Sequence, residues 1–333
     1  MKEEKLSLNF DNQKTEQKNW DDKRYFSLSY YLKHQFGQKI YKLALNGGMT
    51  CPNRDGSVDT RGCIFCSEGG SGDFASPSHL TITEQIEQSK LRLNPQNFSS
   101  SKPGQANKYT GSKYIAYFQA YTNTYAPIPY LRKIFIEAIS HPDIVALSIA
   151  TRPDCLGEDV LALLDEINQI KPVWVELGLQ TIHEKTALFI RRGYPLDCFD
   201  YAVHNLHRIH IETIVHVIIG LPGETKSDLF QTIHHISNLP IQGVKLQLLH
   251  ILKDTDLADC FDAQCILTKE EYVELVIECI ERLPQNIVIH RITGDGPKKT
   301  LLAPLWSGDK KNVLNTILRE MKEQDTWQGK FYK

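Results

Sequence analysis

Six apolar segments of strand length, spaced by helical patterns, constrain this chain of 333 residues more than any other feature. They are KIYKLALN (39–46), KYIAYFQ (113–119), IVALSIA (144–150), VWVELGL (173–179), TIVHVII (213–219) and GVKLQLL (243–249). Helical patterns lie between them at 79–94, 129–140, 158–167 and 197–210. Thr81 with Glu84 three residues on reads as a capping box at the first of these. Strands in series with helices predict a parallel sheet joined by crossovers. Six units are too few for an eight-unit barrel, so the expected fold is α/β: a partial (βα)6, three-quarter TIM-like barrel. Residues 1–38 read as an N-terminal extension, 39–250 as the barrel and 251–333 as a small α+β cap. The cap is expected to hold a helix at 268–282, a strand at 287–292 and a helix near 309–323.

In βα barrels the reactive groups sit on loops at the C-terminal ends of strands. The first such loop here contains Cys51-PNRDGSVDTRG-Cys63-IF-Cys66, three cysteines within sixteen residues. Zinc is one reading, because Cys-x2-Cys is a common half-site, but structural zinc takes four ligands and no second pair follows. An iron–sulfur centre is the other: three thiolates hold three irons of a four-iron cluster and leave one iron open. A tail rich in glycine, Ser67-Glu-Gly-Gly-Ser-Gly-Asp73, suits a loop packed closely around such a group. From spacing alone both readings stay open.

A formal net charge of -2 gives no global field toward nucleic acid or membrane. No apolar run approaches the ~18 residues that span a bilayer, and the polar N-terminus is not a signal peptide. Eight cysteines without an export signal fit a reducing, cytoplasmic setting. The sequence does not fix an oligomeric state.

Later motifs fall one strand apart. They are Tyr117-Phe-Gln-Ala-Tyr-Thr-Asn-Thr-Tyr125 after the second strand and Ala150-Thr-Arg-Pro-Asp154 after the third. Val175-Glu-Leu-Gly-Leu-Gln-Thr181 forms the fourth, with Arg192-Gly193 twelve residues on, and His216-Val-Ile-Ile-Gly-Leu-Pro-Gly-Glu-Thr225 the fifth. Together with the cysteine loop this pattern resembles the radical S-adenosylmethionine (SAM) superfamily over roughly 39–250. Within it the chain resembles the branch of the elongator catalytic subunit and, more distantly, the oxygen-independent coproporphyrinogen oxidases. The superfamily's usual loop is Cys-x3-Cys-x2-Cys, whereas eleven residues separate Cys51 from Cys63. Widened first gaps occur in the elongator-like branch.

The resemblance implies a [4Fe–4S] cluster on Cys51, Cys63 and Cys66, with SAM bound beside it. It implies that the loop with Gln119, Thr122 and Asn123 receives the SAM amino group and that Arg152 stands near. It further implies that Glu176 belongs to the cofactor site, that Gln180 contacts the ribose, Arg192 the methionine carboxylate, and His216 and Gly220 the ribose and adenine, with Phe65 packed beside the adenine. Relatives often carry Asp at the position of His216. An Arg fork suits a carboxylate and an amide suits hydroxyls on physical grounds as well. Other readings remain: Glu176 and Gln180 as a buried polar network, and GLPGET as a strand-to-helix turn capped by Thr225. The implied reaction is reductive cleavage of SAM to a 5′-deoxyadenosyl radical, fed by a donor such as a flavodoxin or ferredoxin.

Substrate is read from residues 88–136, which hold no Asp or Glu. They hold Lys90, Arg92, Lys102, Lys108, Lys113, Arg132 and Lys133, interleaved with Tyr109, Tyr114, Tyr117, Tyr121, Tyr125 and Tyr130. Lys298, Lys299, Lys310 and Lys311 add to the basic set. Basic groups meet phosphates and aromatic faces stack on unpaired bases, while a solvated loop plus a tyrosine-bearing core strand gives the same composition. The resemblance implies tRNA, at the C5 side chain of the wobble uridine. Nothing the size of an acetyltransferase domain follows residue 250, so acetyl-CoA chemistry is not implied. Remodelling of an existing side chain such as carboxymethylaminomethyl is. The competing functions are a radical SAM enzyme acting on a small molecule or porphyrin-like ring, and a zinc-bound RNA-binding protein without catalysis. Cys260-x4-Cys265 is a weak metal pair and Cys155 a candidate hydrogen donor.

Overall fold

The computed structural model describes residues 17–18, 20–93, 111–262, 266–294 and 296–332. Lys102, Lys108, Tyr109 and Cys265 lie outside the described residues. In chain order the chain forms α1 (Leu28–Phe36), β1 (Ile40–Leu45), α2 (Ile82–Leu93), β2 (Lys113–Phe118), α3 (Ile128–Ser140), β3 (Ile144–Thr151), α4 (Glu158–Asn168) and β4 (Val173–Gln180). It continues with α5 (Glu184–Phe189), α6 (Leu196–Arg208), β5 (Glu212–Ile219), α7 (Lys226–Ser237) and β6 (Gly243–Leu248). The last part is β7 (Ile251–Leu252), α8 (Asp256–Cys260), α9 (Lys269–Arg282), β8 (Val288–Arg291), β9 (Leu301–Ala303) and α10 (Lys310–Glu323).

β1 to β6 pair in sequence order, all parallel, as an open barrel. The sheet has seven strands rather than six, because β8 pairs parallel to β6. The sequence reading places a strand there but assigns it to the cap. β7 and β9 form a separate antiparallel ribbon. Helix signals behave as expected at α2: Thr81 Oγ1 accepts from Glu84 N at 3.2 Å, and the Glu84 carboxylate accepts from Thr81 N at 2.8 Å. α7 has the same device in Thr225 and Asp228.

Alternate residues of each strand face opposite ways. The outer face is mainly apolar: Leu43, Phe118, Leu147, Val175, Val215 and Val244 are all buried beneath the helices in one core. The inner face changes character with height. Its lowest level is Ile40, Ile115, Ala146, Trp174 and Ile214, closed from below by Leu32 of α1. Two residues further along each strand stand Lys42, Tyr117, Ser148, Glu176, His216 and Lys245. Two further on, Gln119, Ala150, Gly178, Ile218 and Gln247 line a cavity at the C-terminal ends of the strands. The shear of a barrel brings these levels together across strands: Ser148 lies opposite Trp174, and Glu176 opposite Ile214.

The N-terminal segment is part of this architecture. Phe26 O accepts from Ile289 N at 2.7 Å, and the Tyr31 hydroxyl donates to Glu212 at 2.7 Å. Near the C-terminus, buried Gln328 donates to the carbonyls of Pro284 and Ile287 and accepts from Phe26 N.

Candidate active site

The loop after β1 solves the problem of its own width. Arg54 N and Asp55 N donate to Cys51 O at 2.8 and 3.2 Å, and Val58 N donates to Pro52 O at 2.9 Å. Gly62 N then donates to Asn53 O at 2.6 Å, which folds the eleven intervening residues onto themselves and returns the chain to Cys63. Cys66 N donates to Cys63 O at 3.0 Å. Arg54 crosses beneath to donate to the carbonyls of Cys66 (3.1 Å) and Ser67 (2.7 Å). Asn53 is fully buried; its amide donates to Arg191 O at 2.7 Å and lies 3.5 Å from Cys63 Sγ. Gly193 permits this, since a Cβ there would fall 2.5 Å from Asn53 Oδ1. The tail rich in glycine also packs closely: a Cβ on Gly70 would meet the Tyr121 ring at 2.3 Å.

Cys51, Cys63 and Cys66 line one cavity of about 440 Å³ together with Phe65, Gln119, Thr122, Arg152, Glu176, Gln180, Arg192 and His216. Two of the sequence-derived residues stand elsewhere. Asn123 does not line the cavity; its backbone and side-chain N–H groups both donate to Ala150 O. Gly220, at φ +89°, lines an adjoining apolar pocket of about 120 Å³ with Leu249, Ile251, Leu257 and Phe261.

Those inside differ in how free they are. Arg152 forms a two-pronged pair with Asp154 at 2.9 and 2.6 Å and donates to Arg192 O. Arg192, almost fully buried, gives Nε to Tyr194 O and Nη1 to the carbonyls of Leu179 and Thr181. Its Nη2 has no hydrogen-bond partner; the Glu184 carboxylate is 3.8 Å away. The buried Gln180 Oε1 also lacks a donor. Gln180 holds a left-handed backbone, φ +68°, as do Ser71 and Tyr121 on the same cavity wall. Each such position costs on the order of 1 kcal/mol and is characteristic of ligand sites. An unmatched cationic N–H and an unmatched carbonyl oxygen suit a ligand carrying both a carboxylate and hydroxyl donors, as SAM does.

Glu176 is fully buried and has no spare capacity. Lys42 (2.5 Å) and Ser148 (2.8 Å) donate to one oxygen; His216 (2.9 Å) and Lys245 contact the other. Nearby cations, Lys245 first, overcome desolvation and hold its pKa well below the usual carboxylate range. Burial pushes His216 down to about 4 and Lys245 down to about 7. This is the polar network that the sequence leaves open for Glu176, and it extends further than the sequence shows. Lys42, Tyr117, Ser148 and Lys245 belong to it, and their signal was a polar residue at an inward position of an otherwise apolar strand.

Burial pushes the Cys63 thiol up to about 12, so its thiolate form depends on a bound cation. Among the described residues no three His, Cys, Asp or Glu side chains converge as one metal ion requires. A cubane cluster spreads its thiolates over separate irons, and three cysteines around one cavity wall match that donor set. Cys155 lies in a different, open depression with Pro52, Val58 and Tyr125. Cys279 is core and Cys260 is exposed. Of the basic stretch, Lys90 and Lys113 pair with Asp143 and Arg132 pairs with Glu166. Lys298 and Lys299 are exposed beside Pro297 at the cavity rim. No helix among the described residues is long and apolar enough to cross a membrane.

Residues 60–236 match the radical SAM superfamily model, and residues 241–323 match the radical SAM C-terminal domain. The chain is 42% identical over 314 residues to the uncharacterized protein YtqA of Bacillus subtilis, covering 94% of each. It is 27% identical over 188 residues to a tRNA uridine(34) acetyltransferase of Methanocaldococcus jannaschii, covering 54% of this chain and 33% of that one. Its fold is similar to archaeal Methanocaldococcus infernus Elp3 with an N-terminal deletion, at TM-score 0.62 and 16% identity, covering 87% of this chain and 64% of that one. The family's cofactors are a [4Fe–4S] cluster and S-adenosylmethionine. With a cysteine loop after the first strand of a partial parallel barrel and a polar cavity at the C-terminal ends of its strands, the chain belongs to the radical SAM superfamily.

Proposed function

We propose that this chain alters the C5 side chain of the tRNA wobble uridine by radical chemistry, with the cluster on Cys51, Cys63 and Cys66. When bound, the cluster and SAM supply a 5′-deoxyadenosyl radical that abstracts hydrogen from carbon. The protein's part is positional. Arg192 Nη2 offers a fixed, desolvated cation to the methionine carboxylate. Gln180 Oε1 accepts from a ribose hydroxyl. Phe65, packed against the cluster of Ile64, Ile190 and Ile218, gives the adenine an apolar surface and keeps water from it. Arg54 and Asn53 fix the cysteine loop from behind. A flavodoxin or ferredoxin supplies the electron.

The observation that carries the chemistry is that the three cysteines line one cavity with Gln180 and Arg192, each of which has an unmatched buried polar atom. The tRNA substrate is supported by the likeness to a tRNA uridine(34) acetyltransferase and by exposed Lys298 and Lys299 at the rim. The basic stretch supports it less than its composition does, since Lys90, Lys113 and Arg132 are paired to carboxylates. A carboxymethylaminomethyl group already on the uridine is the side chain we assign.

Two measurements test this. Anaerobic purification should yield a brown protein with about four iron and four sulfide per chain; one zinc and no colour refutes the enzyme. Nucleoside analysis of tRNA from a deletion strain should show altered wobble uridines. An unchanged profile removes the tRNA substrate and leaves a radical SAM enzyme of another substrate.

A further inference from the structure

The lining of the cavity is unevenly charged. It presents Arg54, Arg152, Arg192, Lys245 and Arg291 against two carboxylates, Asp73 and Glu176. The arginines near the cysteine loop have tasks already described. Lys245 does not share them. It sits on β6, five strands from β1, which leads into the cysteine loop, and one residue level deeper than Gln247. It is 4% exposed, contacts Glu176, and donates to the Tyr117 hydroxyl at 3.2 Å. Glu176 does not depend on it alone, because Lys42, Ser148 and His216 also donate to that carboxylate. Two ammoniums, Lys42 and Lys245, thus share the single carboxylate of Glu176, so this level carries one more cation than anion toward the cavity. Arg291 is the register partner of Lys245 on β8 and lines the same wall. Burial, with Lys42 and then Arg291 nearby, lowers the Lys245 amine to about 7 against the opposing pull of Glu176, and an incoming anion would raise it again.

We infer that Lys245, with Arg291 alongside, is a specificity subsite for a carboxylate at the inner end of the substrate group that enters the lumen. A carboxylate is assigned over a phosphate because the lumen receives the reacting end of a substrate, whereas a nucleotide's phosphates flank its sugar. The inference rests on the radical SAM reading of the cavity, not on the tRNA substrate.

The test uses cluster-loaded protein with SAM in three forms: wild type, Lys245→Arg and Lys245→Met. One set of probes is a pair of anticodon stem-loops whose wobble uridine carries carboxymethylaminomethyl or aminomethyl. The expected result is a KM for the acid-bearing stem-loop lower by on the order of thirtyfold or more in wild type. That preference should be retained in part by Lys245→Arg and lost in Lys245→Met, with cluster content and SAM affinity unchanged. A loaded Lys245→Met protein that keeps the preference overturns the inference while sparing the tRNA reading. If Lys245→Met does not hold its cluster, equal KM values in wild type overturn it. The second set is N-methylglycine, N-methylethylamine and inorganic phosphate, read by thermal midpoint. N-methylglycine alone should raise the midpoint, in wild type and Lys245→Arg only. If neither stem-loop is a substrate but N-methylglycine gives this pattern, the tRNA reading fails and the subsite stands. No shift with N-methylglycine, or a shift with phosphate in its place, overturns the assignment.

Discussion

Two neighbouring levels of one lumen differ as much as any two regions of this molecule. The lower level, Ile40, Ile115, Ala146, Trp174 and Ile214 with Leu32, is a dry plug. The upper, only two residues along the same strands, gathers a carboxylate, two lysines, a histidine, a serine and a tyrosine with almost no contact with solvent. Both are buried, but the first is held by apolar area and dispersion, and the second by mutual satisfaction of polar groups. The plug stabilises the barrel from below and tolerates volume errors gradually. The polar level hinges on its one carboxylate, because loss of Glu176 strands two lysines at once, whereas loss of a single donor leaves Glu176 its others. A stiff apolar base thus carries a charged shelf to the height of the cofactor cavity.

That comparison breaks most clearly at Glu176. Glu176→Leu leaves Lys42 and Lys245 without their shared carboxylate and should cost about 4–5 kcal/mol, measured by denaturant unfolding; a cost below that of a plug truncation would sink the reading that this level hinges on Glu176. Trp174→Ala, in the plug, should cost about 3–4 kcal/mol while the protein still loads its cluster. Simultaneous loss of cluster binding would show that the two levels are not separable.

Acid sharpens the contrast. His216 is held neutral to about 4, whereas an unfolded histidine protonates near 6.5. The unfolded state therefore binds the extra proton first, so stability contributed by this group is full above about 6.5 and falls toward pH 4, by about 3 kcal/mol at most. In His216→Asn the decline across that window should shrink. An identical pH profile for both proteins would place the acid sensitivity elsewhere. The smallest effect belongs to the junction beneath the plug: Tyr31→Phe removes a donor from Glu212 and should cost about 1 kcal/mol. A neutral result in thermal melting would mean that water replaces the hydroxyl.

The strands and most crossover helices were legible because each is a continuous pattern in sequence, and β1, β3 and β5 fall within a residue or two of where that pattern puts them. β8 was legible as a strand but not as part of the barrel, because its partner β6 lies some forty residues earlier and pairing is a tertiary choice. α1 was missed: LSYYLKHQF buries a single residue of its own, Leu32, deeply, so its apolar periodicity is weak. In the site, the cysteines stood out through their spacing. Lys42 and Lys245 did not, because a lone lysine in a strand reads as an exposed edge until the curvature of the barrel brings it across the lumen to Glu176. Asn123 and Gly220 follow the family pattern in sequence, yet one is spent on Ala150 O and the other opens on a side pocket.

An open barrel has a seam, and here α1 packs against both strands that border it, β1 and β8. Ser27 bridges to Ile289, and Gln328 fastens the same segment to the carbonyls before β8. Free strand borders invite other chains to add on. Release of residues 24–36 would therefore bare the β8 border and open the lumen from below in a single event.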